Sequence, residues 1–344
     1  MRIVYLGYES GTSLHRANAL RRLGHQVEIV DTQALLGATG LALKFHRETG
    51  CLFLGKAHEE RLIGKITGEK GDVLWVDHGR STTPNVLRHA RSLGMKSVVL
   101  NVDDPFGKRD RWNWLLLKKA LPEYDLVAVV REPNVEEAKQ LGARDVIKVW
   151  RSADEVGHRR QDLTPNEEAK YATDVLFLGT YMRGRGAFLK RLTDLGVPLS
   201  IVGDRWDRAP ETAQLAPFWK SPGVYSDVEY CSYIQSAKIC IGLLSHENRD
   251  LHTTRTMEIP SIGSLFCAER TSEHLELYID GEEAVFWESA EECAAQCLGL
   301  LSDDKRRKAI SAAGHAKCLA NKTMNEPVME QILSRLIGSA DAQV

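Results

Sequence analysis

The fold of this chain is indicated first by residues 246–287, HENRDLHTTRTMEIPSIGSLFCAERTSEHLELYIDGEEAVFW. An acidic residue, Glu258, stands five positions before Gly263, and the apolar run at 265–268 is typical of a buried strand. This spacing predicts a carboxylate on a short helix beside the mouth of a parallel sheet, where open α/β folds bind ligands. Because an ionised carboxylate accepts hydrogen bonds through two oxygens, it suits a vicinal diol such as a ribose. The alternative is a solvated glutamate at a helix end, with Gly263 as the C-cap.

Length and charge restrict the class of protein. With 344 residues, the chain exceeds one typical core, so two domains are expected. The net charge is −2 and the basic residues are scattered, which predicts neither a nucleic-acid partner nor a membrane surface. The N-terminus lacks a signal-peptide pattern and no stretch has the length of an apolar span, so we expect a cytoplasmic protein without a transmembrane segment.

The cysteines predict neither disulfides nor zinc. Seven are present, at positions 51, 231, 240, 267, 293, 297 and 318, and no two form a CxxC pair. Several lie in apolar patterns, where a free cysteine packs as a small hydrophobic side chain. Cys293 and Cys297 can share a helix face, but two ligands without a nearby histidine do not predict a metal site.

Strands and helices alternate through the first half of the chain. The apolar pattern predicts strands at 2–6, 26–30, 72–76, 97–100, 125–130 and 146–150, with helices that include 41–45, 59–66 and 135–141. The loop at 7–13 is rich in Gly, Ser and Thr, but it lacks a full GxGxxG and gives little support to a dinucleotide site. The alternation predicts an α/β domain, to which we assign residues 1–160.

A second α/β pattern follows a polar stretch, residues 151–173, that we interpret as a linker. Strands are predicted at 174–178, 199–202, 224–225, 239–243 and 265–268, and helices at 188–195, 228–236, 290–301 and 304–319. We therefore predict two tandem Rossmann-like doubly wound domains, 1–160 and 161–325, facing across a cleft. A helix at 328–337 belongs to a terminal segment, 326–344, that we expect to pack back on the first domain.

Five motifs of the second half occur together in a known family. They are FLGTYMRGRGAFLKRL (177–192), IVGDRW (201–206), AKICIGL (237–243), RTMEIPSIG (255–263) and YIDGEE (278–283). In order and spacing, they resemble the C-terminal domain of glycosyltransferases with the two-Rossmann GT-B fold. The similarity is closest to the spore-maturation-protein-like branch, which has a group 1 type glycosyl transferase domain. The first half resembles these proteins through LGYESG, LRRLGHQV and NVDDP.

The resemblance implies transfer of a sugar from a nucleoside-diphosphate sugar, of the UDP type, to a carbohydrate, protein or other small-molecule acceptor. Because arginine suits bidentate contact with phosphate and would stabilise the leaving diphosphate, we expect no metal and no further cofactor. In retaining members with an E-x7-E signature, the second glutamate binds the donor ribose, and Glu258 falls at that place; eight positions earlier stands Asp250 instead of Glu. Pro260 is expected to shorten or kink the helix. Arg255 either faces the same ligand or pairs with Glu258 at i, i+3.

Other residues of the second half suit a nucleotide diphosphate. A glycine loop at a helix start supplies backbone donors, and Arg183 and Arg185 supply positive charge, although Arg183 is alternatively a solvated loop residue. Tyr225 and Tyr230 either pack near the base or lie in the core. The predicted donor-binding residues are Gly179, Thr180, Arg183, Arg185, Gly203, Tyr225, Tyr230, Asp250, Arg255, Glu258 and Gly263.

The resemblance places the acceptor on the first domain, so a general base is expected in the loops after its strands. The candidates are Glu9, His15, His78, Asp103 and Asp104, and we predict His78, Asp103 and Glu9 as catalytic. A histidine changes its charge near neutral pH, and Asp103 would orient His78 or bind acceptor hydroxyls. Alternatively, His78 is a turn residue, and Asp103 with Asp104 forms a turn and an N-cap. A retaining route needs no dedicated base. A non-catalytic nucleotide-sugar-binding protein and a nucleotide-sugar epimerase are the alternative functions.

Overall fold

The computed structural model describes residues 1–110 and 112–338, which form two compact units. Unit 1 comprises residues 1–151, the short segment 246–249 and the C-terminal segment that begins at Asn325. Unit 2 comprises residues 152–245 and 250–324. The predicted tail after residue 338 lies outside the described residues. The predicted linker, 151–173, falls almost entirely in unit 2.

Unit 1 contains a six-stranded parallel sheet in the order β2-β1-β3-β4-β5-β6. Its elements before the C-terminal segment are β1 (Arg2–Gly7), α1 (Gly11–Arg22), β2 (Gln26–Asp31), α2 (Thr32–Leu36), α3 (Gly40–Glu48), α4 (Lys56–Glu69), β3 (Val73–Asp77), α5 (Pro84–Ser92), β4 (Lys96–Asn101), α6 (Leu115–Ala120), β5 (Leu126–Val129), α7 (Glu132–Gln140) and β6 (Val146–Lys148). Because β1 is followed by β2 on one side and has β3 on the other, the strand order reverses between β1 and β3. Ligands of doubly wound sheets bind at such a switch point, outside the carboxyl ends of the strands.

Unit 2 contains a second six-stranded parallel sheet, in the order β12-β11-β10-β7-β8-β9. Its elements are α8 (Pro165–Tyr171), β7 (Thr173–Leu178), α9 (Arg185–Asp194), β8 (Leu199–Val202), α10 (Thr212–Leu215), β9 (Trp219–Ser221), α11 (Asp227–Ser236), β10 (Ala237–Gly242), α12 (Arg255–Ile262), β11 (Leu265–Glu269), α13 (Ser272–Leu277), β12 (Val285–Trp287), α14 (Ala290–Ser302) and α15 (Asp304–Ala320). The strand order reverses between β7 and β10. The predicted pair of doubly wound domains is therefore confirmed.

The last helix, α16 (Asn325–Gly338), completes the core of unit 1. One face of it, formed by Val328, Met329, Ile332, Leu333 and Leu336, is buried in the same cluster as the inner residues of β1, β3 and β5. The spacing of these five positions matches one stripe of an α-helix. The burial of their apolar area therefore stabilises the packing of α16 against the sheet of unit 1.

Two details of the second half differ from expectation. The predicted strand at 224–225 is wrong: the Tyr225 side chain is 82% exposed, and its backbone N–H donates to Oε2 of Glu229 at the start of α11. The edge of the sheet is instead β9, which pairs with β8. The predicted linker contains α8, which begins with a capping box between Thr164 and Glu167. The sequence TPNE carries that signal, with a proline at the first helical position.

None of the helices in residues 1–110 and 112–338 combines the length and the apolar character that crossing a membrane requires.

Candidate functional site

At the switch point of the first sheet lies a buried ion pair. Nη2 of Arg16, on α1, donates to Oδ2 of Asp77, at the end of β3, over 2.9 Å, and both side chains are nearly inaccessible. Burial alone would raise the pKa of Asp77, but the charges of Arg16 and His78 outweigh burial and hold that pKa below its ordinary value. The base of the crevice therefore holds an ionised carboxylate whose charge is balanced by Arg16.

His78 and Asp103 lie together at the mouth of this crevice. Nδ1 of His78 is 3.5 Å from Oδ2 of Asp103, and Nε2 is 3.9 Å from Oδ2 of Asp77. Burial would raise the pKa of Asp103, but His78 and Arg80 together keep it far below its usual range. The ionised Asp103 can therefore hold the imidazole in one orientation. His78 has a φ of 62°, a left-handed conformation that few non-glycine residues adopt, and its side chain is 18% exposed.

The other predicted acceptor-side residues have different surroundings. Glu9 is exposed, and its backbone N–H donates to Oδ2 of Asp31. His15 is buried on α1. Asp104 is buried and accepts hydrogen bonds from the backbone of Phe106 and Gly107 and from the side chains of Asn134 and Arg249. This is the turn arrangement that we considered as the alternative for the adjacent acids.

Arg185 occupies the switch point of the second sheet. Its Nη1 donates to the Thr180 carbonyl over 2.9 Å, and its Nη2 donates to the carbonyls of Leu243 and Leu244 over 3.1 and 3.3 Å. The guanidinium also lies over the Phe177 ring, 5.6 Å from its centre. Arg185 thus joins the turns after β7 and β10. Sequence reasoning predicted the position of this arginine at a helix start but not its carbonyl partners.

The predicted glycines bring two strand ends into backbone contact. A Cβ atom on Gly203 would lie 2.0 Å from the carbonyl oxygen of Gly179, so no other residue fits there without a shift of the backbone. Nε1 of Trp206 donates to the same Gly179 carbonyl over 3.0 Å. Gly184, with a φ of 87°, caps α9, and the adjacent Arg183 is exposed. The exposed Arg183 therefore lies directly before α9.

Glu258 is the centre of a buried polar cluster. Oε2 accepts a hydrogen bond of 2.5 Å from the Tyr230 hydroxyl and lies 3.3 Å from Nη1 of Arg255. Oε1 lies 3.5 Å from Nε2 of His158. Only 3% of the Glu258 side chain is exposed. The structure thus brings together three predicted residues, whereas His158 was missed because a single histidine in a polar stretch carries no signal.

The remaining predicted residues on the donor side are dispersed. Gly263 has a φ of 86° and caps α12, which is short and contains Pro260, as expected. Asp250 is buried at the start of the loop that leads into α12. Tyr225 is exposed in front of α11, so the core alternative does not apply to it. Tyr230, in contrast, is buried.

Within the described part of the chain, one group of metal-ligating side chains converges. The sulfur atoms of Cys267, Cys293 and Cys297 lie within 4.8 Å of one another in the core of unit 2. The two-ligand description from sequence was therefore incomplete, because Cys267 on β11 joins the pair on α14. Apolar side chains surround the thiols, which fits their packing as small hydrophobic groups.

The chain is similar to one family of sequences and to several solved structures. Residues 185–334 match a family described as glycosyl transferase-like. The sucrose-phosphate synthase of Thermosynechococcus elongatus superposes with a TM-score of 0.71 at 13% identity, covering 100% of each chain. Anabaena HepE in complex with UDP-glucose gives 0.67 at 14% identity and covers 98% of this chain and 100% of its own. A UDP-N-acetylglucosamine 2-epimerase superposes with a TM-score of 0.60 at 13% sequence identity. The match covers 100% of this chain and 97% of the epimerase chain. No curated protein sequence matches the chain.

These similarities confirm the expected GT-B type of fold, with two Rossmann-like domains. The matched region begins at Arg185 and includes α12 with Glu258. The family match and the shared fold together confirm the resemblance to glycosyltransferases. Assignment to the spore-maturation-protein-like branch stays a prediction.

Proposed function

We propose that this protein is a glycosyltransferase that moves a hexosyl group from a nucleoside-diphosphate sugar to a hydroxyl acceptor without a metal ion. The match of residues 185–334 to the glycosyl transferase-like family carries this proposal, because it includes both Arg185 and Glu258. The donor binds unit 2, and the acceptor binds unit 1. UDP is the proposed nucleotide, in keeping with HepE, which was solved with UDP-glucose. A cytoplasmic location stays a prediction.

On the donor side, the turn at the start of α9 receives the diphosphate. Backbone N–H groups at a helix start favour an anion, and Arg183 is exposed there. Arg185 already donates to three carbonyls, so its proposed contribution is to shape the turn and to add positive charge. Charge on the leaving diphosphate grows in the transition state, and fixed positive groups stabilise it there.

Glu258 is proposed to accept hydrogen bonds from the ribose hydroxyls. A carboxylate offers about four lone-pair positions, of which Tyr230 and Arg255 use those on Oε2. Oε1 lies 3.5 Å from Nε2 of His158. Tyr230 and Arg255 hold this carboxylate in place for the proposed ribose contact.

On the acceptor side, His78 is proposed as the general base. Asp103, 3.5 Å from Nδ1, orients the imidazole, and Nε2 takes the proton of the attacking hydroxyl. The acceptor oxygen forms a bond to the anomeric carbon as the bond between that carbon and the diphosphate oxygen breaks, and the diphosphate leaves with the electron pair. Asp103 acts here as a positioning residue. Glu9 is exposed just after the carboxyl end of β1 and stays a catalytic candidate.

The test is incubation with a panel of UDP-sugars, with and without EDTA, followed by analysis of nucleotide and sugar products. Slow release of UDP that EDTA does not abolish is the expected result. An epimerised UDP-sugar would favour the second candidate, which has support from the fold shared with a UDP-N-acetylglucosamine 2-epimerase. Binding of UDP-sugar with no turnover of any kind would identify a binding protein and refute the enzymatic proposal.

A further inference from the structure

A second pocket lies in unit 2 at the opposite end of the strands from the switch point. Its volume is about 480 Å³, and its floor is formed by the first residues of β10 and β11. Helix α15 forms one wall, and the residue Arg160, before α8, forms another. A cavity of this size holds a small metabolite.

Positive charge dominates the pocket lining. The lining includes Arg160, Lys238, Arg307, Lys308 and His315, and among residues 1–110 and 112–338 no carboxylate lines it. Two acids stand behind this lining: Asp174 pairs with Lys238 at 2.7 Å, and Asp304 pairs with Arg307 and Lys308 at 2.5 and 3.3 Å. Four permanent positive charges and two negative charges leave a net charge of +2. A phosphomonoester at neutral pH carries nearly the opposite charge.

One of the cationic groups is held in place before any ligand arrives. The Arg307 side chain is 7% exposed, and its Nη1 donates to the carbonyl of Leu300 over 3.3 Å. A guanidinium that is already fixed loses little freedom when it contacts an anion, and its planar donors suit a phosphate. Arg160 and Lys308 are exposed and can close on a ligand from the rim.

The pocket also contacts the helix that carries Glu258. Side chains of its wall hydrogen-bond to carbonyls at the C-terminal end of α12: Ser311 donates to Gly263 over 2.9 Å, and Nδ1 of His315 lies 2.9 Å from the Pro260 oxygen. Nη1 of Arg160 is 3.4 Å from the carbonyl of Ile262. An anion that draws Arg160 or His315 toward itself changes these contacts. The position of α12 is therefore mechanically linked to the pocket.

We propose that this pocket binds a small phosphomonoester, with Arg160, Arg307 and Lys308 as its phosphate ligands, and that occupancy alters nucleotide binding through α12. The binding statement is independent of the proposed glycosyltransferase function, and only the coupling to UDP rests on it. By linkage, the phosphomonoester changes the affinity for UDP by the same factor by which UDP changes the affinity for the phosphomonoester.

The test is isothermal titration calorimetry with glucose 6-phosphate, inorganic phosphate and glucose at low ionic strength. Glucose 6-phosphate should bind and glucose should not, and inorganic phosphate should compete for the same site. In the double variant Arg160→Gln/Lys308→Gln, affinity should fall about tenfold or more, because two charged hydrogen bonds are lost. Lys305→Gln is the matched control, since this exposed lysine lies on the same helix but outside the pocket, and it should bind as the wild type does.

Equal affinity in the double variant and the wild type would overturn the proposal, as would binding of glucose as tight as that of glucose 6-phosphate. Titration of glucose 6-phosphate in the presence of saturating UDP distinguishes the two sites of unit 2. If UDP competes with glucose 6-phosphate and abolishes its binding, the phosphate occupies the nucleotide crevice and the proposed pocket is wrong. If the chain binds no UDP at all, the proposed function fails, while the comparison of variants still decides the fate of this pocket.

Discussion

The hydroxyl of Tyr230 donates a hydrogen bond of 2.5 Å to Oε2 of Glu258, and both side chains are buried. The pKa of Tyr230 is raised well above its usual value, mainly by burial and further by the adjacent charge of Glu258. The tyrosine therefore stays protonated and donates the hydrogen bond. The centre of the Tyr230 ring lies 5.2 Å from the Arg255 guanidinium, a cation–π distance. The carboxylate proposed to bind the ribose is thus held in one orientation.

The first prediction concerns this carboxylate. Glu258→Gln keeps the shape of the side chain but removes its charge, so UDP affinity should fall about tenfold to a hundredfold, as expected for loss of a charged hydrogen bond. Calorimetry with UDP measures this, and circular dichroism checks that the fold is intact. Glu276→Gln, an exposed change on α13, is the control. Unchanged UDP affinity in Glu258→Gln would sink the ribose assignment.

The second prediction concerns His78 and Asp103. His78→Ala should lower turnover by about a hundredfold or more while UDP affinity stays at the wild-type value, because a general base acts on the acceptor and not on the nucleotide. Asp103→Asn should lower kcat with little change in the KM for the donor, and Asp103→Glu should restore part of the loss. The measurement is release of UDP at saturating donor.

His89→Ala, on α5, is the matched control for these variants, since the His89 side chain hydrogen-bonds, among the described residues, to the Thr67 hydroxyl alone. Full transfer activity in His78→Ala would place the chemistry elsewhere. If Asp103→Glu is no better than Asp103→Asn, the carboxylate does not act by orienting His78.

The third prediction separates the two arginines of the α9 turn. Arg185→Ala should lower the free energy of unfolding by about 1–3 kcal/mol, because the carbonyls of Thr180, Leu243 and Leu244 lose their donor. Arg183→Ala should leave stability unchanged, since its side chain is exposed, but should weaken UDP binding. Urea unfolding and calorimetry give the two quantities. A wild-type unfolding midpoint for Arg185→Ala would contradict the bridging role.

The fourth prediction is a pH dependence caused by His274. Burial, first, lowers the pKa of His274 from 6.5 to about 4, and the ring fits the neutral form, with Nδ1 beside the Glu269 carbonyl and Nε2 beside the Thr256 hydroxyl. Between pH 6.5 and about 4 the unfolded chain binds the proton and the folded chain does not, so acidification destabilises the fold. Across this window, the free energy of unfolding should fall by roughly 3 kcal/mol because of His274.

His274→Gln removes this titration, so the variant should lose less stability than the wild type as the pH falls through that window. Urea unfolding of both proteins at intervals between pH 7 and pH 4 measures the difference. Parallel stability curves for the two proteins would show that His274 takes up its proton in the folded state.

Local patterns in the chain were enough to predict most of the elements. Buried parallel strands are continuous apolar runs, and helices repeat every three to four residues, so both can be recognised within a dozen positions. The i, i+3 pairing of Arg255 with Glu258 and the capping role of Gly263 are of this kind, since both depend on the geometry of one helix. Short edge strands, such as β9 and β12, carry too few residues for a pattern.

The partners of the site residues depended on the way distant segments pack. His158 and Tyr230 reach Glu258 from other parts of the chain, and Arg185 binds carbonyls nearly sixty positions away. Cys267 joins Cys293 and Cys297 only because β11 lies against α14 in the core. No periodicity links residues so far apart, because their contact follows from the burial of apolar area and the satisfaction of buried polar groups across the whole domain. The residue types therefore predicted the chemistry of each position, and the packing of the sheets selected its partners.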